Sequence, residues 1–164
     1  MSNYEGRNLF EVVGSLIPGY RGYREKEMRR DSDRILRDAI VKWLTDRLPA
    51  VDQATARCAR EARMDLLQPL EEIRRSVDAL AQSVKHAARG YSGFFDTLQV
   101  KEEDLDRLYR YDLGLRNKAE QFALMLGALP LAKDVAGVIP EILQALQEVG
   151  EMIRHRDSAL TEVR

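Results

Sequence analysis

From Leu66 onward the apolar residues fall four and three positions apart, at Leu66, Leu70, Ile73, Val77, Leu80, Val84 and Ala87. That alternation puts every member on one stripe of an α-helix, and such a stripe leaves water only by packing against another. The spacing returns at Leu105, Leu108, Asp112, Leu115, Ala119, Phe122, Leu126 and Leu129, and again at Ile142, Leu146, Val149, Ile153, Arg156, Leu160 and Val163. Upstream, Ile35, Leu36, Ala39, Ile40, Trp43, Leu44 and Leu48 share a helical face. No convincing strand accompanies these runs. The expected fold is therefore all-α: an antiparallel, coiled-coil-like bundle of four main helices with a short N-terminal amphipathic helix. A chain of 164 residues fits one such domain. Residues 1–22 carry the N-terminal helix and the junction around Gly19-Tyr20-Arg21-Gly22-Tyr23, and residues 23–164 carry the bundle.

Prolines and glycines suggest where the rods end. Leu9, Phe10, Val12, Val13, Leu16 and Ile17 form a short amphipathic helix closed by Pro18-Gly19. The first main helix is expected from about Tyr23 to Leu48, stopped by Pro49. The second starts near Asp52 and offers Ala54, Cys58, Ala59 and Ala62 to Trp43, Ile40 and Leu36 of the first, large against small. Pro69 is expected to kink it; a full break is the alternative, but seam spacing continues across from Leu66 to Leu70, which favours a bent helix. Gly90-Tyr91-Ser92-Gly93-Phe94-Phe95 separates the second and third helices. Glu102, Glu103 and Asp104 favour the third helix's N-terminal dipole. Pro130 and Pro140 are expected to bracket the last connection, with Gly137 between them arguing against a continuous helix.

Asp112 and Arg156 each occupy a position that their apolar neighbours would bury. In a hairpin centred near Asp134, residue 112 lies 22 positions before the centre and residue 156 lies 22 after it, so the two meet at one level. A buried ion pair adds little net stability, but removing one partner is expensive, which suits it to fixing register. The alternative keeps Arg156 reaching toward solvent while Asp112 pairs with Arg116 on its own helix.

Several kinds of chemistry lack their residues. The 26 basic and 27 acidic side chains leave a net charge of −1, so no global field recruits nucleic acid or anionic lipid. Cys58 is the sole cysteine, which excludes an intramolecular disulfide and a thiolate zinc set; an inert buried thiol in a cytoplasmic protein is the expectation. Nothing at the N-terminus reads as a secretory signal. A carboxylate-bridged di-metal bundle needs two Glu-x-x-His units, whereas the two histidines, His86 and His155, supply none. No glycine-rich loop follows a strand. The chain is expected not to be an enzyme, with no catalytic residue, metal or cofactor.

The distinctive segment is Pro18-Gly19-Tyr20-Arg21-Gly22-Tyr23, followed by eleven residues, 24–34, of which nine are charged. One reading is a charged helix extending into solvent, supported by pairs such as Glu25 with Arg29. In the other, Tyr20, Arg21, Tyr23, Arg24, Arg29 and Arg30 gather with Tyr91, Phe94 and Phe95 at one end of the bundle and anchor a partner. Aromatics at such junctions also serve as caps on a core. The expected function is a non-enzymatic protein–protein interaction or scaffold module, with a protein partner and room for a homo-oligomer; nucleic acid does not fit. A peripheral membrane adaptor using residues 9–17 is an alternative, disfavoured by Glu5 and Glu11 against the single Arg7. A small-ligand or metal-binding helical-bundle enzyme is another.

Overall fold

The computed structural model describes residues 9–23, 26–87 and 102–162. Arg24, Tyr91, Phe94, Phe95 and the 90–95 connection lie outside the described residues. The helices are α1 (Leu9–Leu16), α2 (Lys26–Thr45), α3 (Leu48–Arg60), α4 (Leu67–Ala87), α5 (Glu102–Ala128) and α6 (Val135–Glu162). Short 3-10 turns at Met64–Leu66 and Leu129–Leu131 precede α4 and follow α5. Among the described residues there is no strand, and no helix is long and apolar enough to cross a membrane. The fold is an all-α bundle of four main rods, the first being α2 carried on by α3, with α1 laid against α5.

The stripes make the core. Every member of the α5 run from Leu105 to Leu129 is buried, Asp112 included. Across from it lie Ile142, Leu146, Val149, Ile153 and Arg156 of α6, also buried. The Lys118–Glu148 ion pair, 2.6 Å, holds the same antiparallel register nearer the turn. On α4, Leu70, Ile73, Val77, Ala81 and Val84 are buried. Val12, Val13 and Ile17 are buried as well, so α1 uses its apolar face for docking on the bundle.

Three proline expectations are corrected. Pro49 begins α3 instead of ending a helix, because the first turn of a helix has backbone donors with no intrahelical acceptor and proline's missing N–H loses nothing there. Pro69 is the third residue of α4, for the same reason, so it opens that helix and does not stand inside a longer one. Pro140 lies inside α6. It deprives the exposed Ala136 carbonyl of its helical donor, on a side where water serves instead. The last connection is thus shorter than the two prolines imply, and Asp134 closes it by accepting the Gly137 N–H at 3.0 Å, as an N-cap does.

The expected second helix is two elements. The chain reverses at Ala62, whose φ is +56°. Arg63 N–H donates to the Cys58 carbonyl at 2.8 Å and Ala62 N–H to the Ala59 carbonyl at 3.2 Å, the paired bonds of a Schellman ending. Because the reversal comes here and not at Pro49, α3 packs on α4 and on the Leu129–Leu131 turn rather than back along α2. Alanine occupies the left-handed position that glycine normally fills, at a conformational cost of roughly 1 kcal/mol. Ala62→Gly is expected to stabilise the protein by about that amount and raise the thermal midpoint by ~2–4 °C. An unchanged or lower midpoint in calorimetry would show that the left-handed turn carries no strain.

Candidate functional site

The segment after α1 is shaped by two glycines. Gly19 and Gly22 have φ of +83° and +79°, backbone that side chains with a β-carbon disfavour. At Gly22 a β-carbon would stand 2.7 Å from Tyr109 Oη and 2.8 Å from the Phe10 ring, so the chain passes where only glycine fits. The resulting strap turns Tyr20 and Tyr23 inward. Tyr23 stacks on Tyr109 at 5.9 Å, Tyr20 meets Tyr23 edge-on at 5.8 Å, and Phe10 of α1 covers Tyr109 at 5.8 Å.

Beneath the rings lies a buried polar cluster drawn from four elements. Tyr20 and Tyr23 hydroxyls both donate to Asp112 Oδ2, at 2.6 and 2.7 Å. Arg156 Nε donates to Asp112 Oδ1 at 2.6 Å. The same guanidinium gives Nη1 to Asp33 Oδ1 at 2.7 Å and Nη2 to the Tyr23 hydroxyl. Asp33 accepts Arg37 Nε at 2.9 Å on its other oxygen, and Arg37 Nη2 reaches Asp157 Oδ1 at 2.6 Å. The strap's backbone is tied in too: Arg29 Nε donates to the Tyr23 carbonyl at 2.7 Å, Ser32 Oγ to the Gly22 carbonyl at 2.8 Å, and Tyr23 N–H to Tyr109 Oη at 3.2 Å.

Charge balances inside. Arg29, Arg37 and Arg156 stand with Asp33, Asp112 and Asp157. Burial alone disfavours the charge on Asp33 and Arg156, but the ions around each one outweigh it. Burial pushes the Asp33 carboxyl upward while Arg156 and Arg37 pull it down further, leaving it below its usual range. Burial likewise weakens the Arg156 cation, and Asp112, Tyr23 and Asp33 more than restore it. Both tyrosines are held far above the usual phenol range, chiefly by burial, with Asp112 adding to it.

Asp112 and Arg156 therefore meet across the hairpin, and Arg116 turns elsewhere, to Glu120 at 3.0 Å and over the Trp43 ring at 5.7 Å. Tyr20, Tyr23 and Arg29 correct the picture of an exposed anchor: they are only 6%, 1% and 6% accessible because their polar atoms are bonded inside. Arg21 and Arg30 are exposed. Ser32, Asp33, Arg37, Tyr109 and Asp157 complete the cluster without having been singled out from the sequence. Asp33 had a signal, because residues 29, 33, 36, 40 and 44 continue one stripe of α2 and the first two are polar. Among the described residues, no group of three or more His, Cys, Asp or Glu side chains is arranged to hold a metal. No family model matches the chain, and neither a curated protein nor a solved structure is significantly similar to it.

Removing one member strands the others in low dielectric. Asp112→Leu and Arg156→Leu are each expected to cost about 3–5 kcal/mol, and the double variant clearly less than their sum. Additive losses in urea denaturation would contradict the coupling. The tyrosines set an alkaline limit. With the folded pKa raised, both phenols keep their protons above pH ~10, where unfolded tyrosine has lost them. Their contribution is complete below that pH and is lost as pH rises beyond it. Tyrosinate absorbance is therefore expected to develop from Tyr20 and Tyr23 only together with loss of helical ellipticity. A Tyr20→Phe, Tyr23→Phe variant whose absorbance change at constant helicity is smaller than wild type's by two phenols would overturn this.

Proposed function

We propose that the chain is a non-enzymatic interaction module, a rigid helical bundle that presents apolar anchors to a protein partner. The observation that carries this reading is the placement of exposed large apolar residues. Met64 and Leu131 are 66% and 86% accessible, and each sits on a turn packed against α3, at the end of the bundle away from the buried cluster. Arg57 braces the turn beside it, donating to the Pro130 and Ala132 carbonyls at 2.6 and 2.7 Å. An apolar side chain held at a braced turn tip loses little freedom on binding, which is what an anchor residue requires. The opposite end, with its tyrosines turned inward, leaves only Arg21 and Arg30 of the described candidates at the surface.

A photo-crosslinking residue at position 131, used in the cells the protein comes from, tests the reading. One recurrent protein adduct is expected, falling roughly tenfold when Met64→Asp is added without loss of helicity. Diffuse adducts, or adducts indifferent to Met64→Asp, would contradict it.

A further inference from the structure

From residue 117 to residue 131, along the C-terminal half of α5 and the turn that follows it, six side chains are exposed: Asn117, Gln121, Leu124, Gly127, Ala128 and Leu131. None is charged. The exposed side of α4 carries Glu71, Glu72, Arg75, Asp78 and Lys85, as a hydrated helix face does. On α5, Phe10 of α1 covers Tyr109 in the N-terminal half, whereas Leu124 is 66% accessible and Leu131, seven residues on, is more open still. Leu124, Ala128 and Leu131 stand four and three apart, the spacing by which the rods of this bundle pack on one another. Ala128 is the small member between two large ones, so the strip is a pair of knobs about a shallow hole.

The charges bordering this strip are unbalanced. Glu61 lies 3.8 Å from Arg57, Asp65 is bonded to Arg63 through both oxygens, and Asp134 accepts the Gly137 N–H. Arg47, Arg60 and Lys133 are exposed and make no hydrogen bond or ion pair with another described residue. Arg47 runs alongside α5, its Cδ 3.8 Å from where a β-carbon on Gly127 would stand. Lys133 follows Leu131 by two residues, and Arg60 ends α3, which packs on the Leu129–Leu131 turn. Unanswered cations around an apolar strip call for apolar and acidic groups in return.

A second copy of the chain answers them poorly. Two strips laid antiparallel about Ala128 would bring their Arg47 guanidiniums toward each other, and like charges across an interface are costly. An anionic bilayer would meet Glu61, Asp65 and Asp134 at the same end. A separate acidic rod meets neither objection.

We propose that the strip from Leu124 to Leu131 docks an acidic amphipathic α-helix of a partner protein, its apolar residues over Leu124, Ala128 and Leu131 and its carboxylates toward Arg47, Arg60 and Lys133. This rests on the reading of Leu131 as an anchor and names what the anchor meets. Fluorescence anisotropy with two labelled helical peptides tests it, both with leucines four and three apart, one flanked by glutamates and the other by lysines. The full chain is expected to bind the glutamate peptide saturably and the lysine peptide about tenfold more weakly, a gap that closes with added salt. Arg47→Gln combined with Lys133→Gln is expected to bring the two peptides together. Leu124→Gln, at an exposed position, is expected to weaken the glutamate peptide about tenfold with helicity intact. No saturable binding of the glutamate peptide, equal binding of both, or binding indifferent to Leu124→Gln would overturn the proposal. So would a dimer in sedimentation, or pelleting with phosphatidylserine vesicles, that Leu124→Gln abolishes, since the face would then belong to a second copy or to a bilayer. In cells, a recurrent adduct at position 131 that is indifferent to Leu124→Gln would remove this helix and leave an interaction module; no recurrent adduct would remove both.

Discussion

The Arg156 guanidinium is the constraint on which the rest of the arrangement hangs. One planar group on α6 is bonded to Asp112 on α5, to Asp33 on α2 and to Tyr23 in the strap, so three neighbours must arrive at one level for any of them to be satisfied. Leucine stripes alone do not impose this. An apolar seam tolerates sliding by a turn with modest loss, whereas a slide here would leave buried ions without counter-ions. The greasy contacts drive association of the rods, and the cluster selects one alignment among those they allow.

Much of the bundle was legible because burial and periodicity are the same physical fact viewed from two sides. Each run spaced by three and four lies along a rod, and most of its described members are core, with Ile35, Trp43 and Leu80 half-buried at the stripe edges. Rod ends were harder, because they depend on backbone states that residue type only biases. Pro49, Pro69 and Pro140 all read as stops or kinks, yet the first two sit in opening turns where a missing donor is harmless. Ala62 ends α3 in a left-handed conformation for which glycine would have been the cue. Nothing in an alanine announces that.

The buried site was half visible for an equally physical reason. Asp112 and Arg156 stood out because they interrupt otherwise apolar stripes. Asp33 and Arg29 interrupt one too, but they are embedded in a run so rich in charge that a solvated face was the natural reading. Tyr20 and Tyr23 lie outside any repeat. Their inward direction is set by Gly19 and Gly22, and loop backbone of positive φ leaves no periodic trace. Tyr109 was hidden among the polar residues beside the α5 seam, and the strap together with Phe10 of α1 accounts for its burial.

The central claim is that this ionic cluster fastens the strap to the bundle as firmly as the helices are fastened to one another. Native-state hydrogen exchange at the Tyr23 amide, which donates to Tyr109 Oη, reads that directly. The account predicts that it exchanges only through global unfolding, with the same denaturant dependence as core amides of α5 such as Leu115. Fast exchange at Tyr23 while Leu115 stays protected would mean that the strap opens by itself and that the cluster does not hold the fold in register.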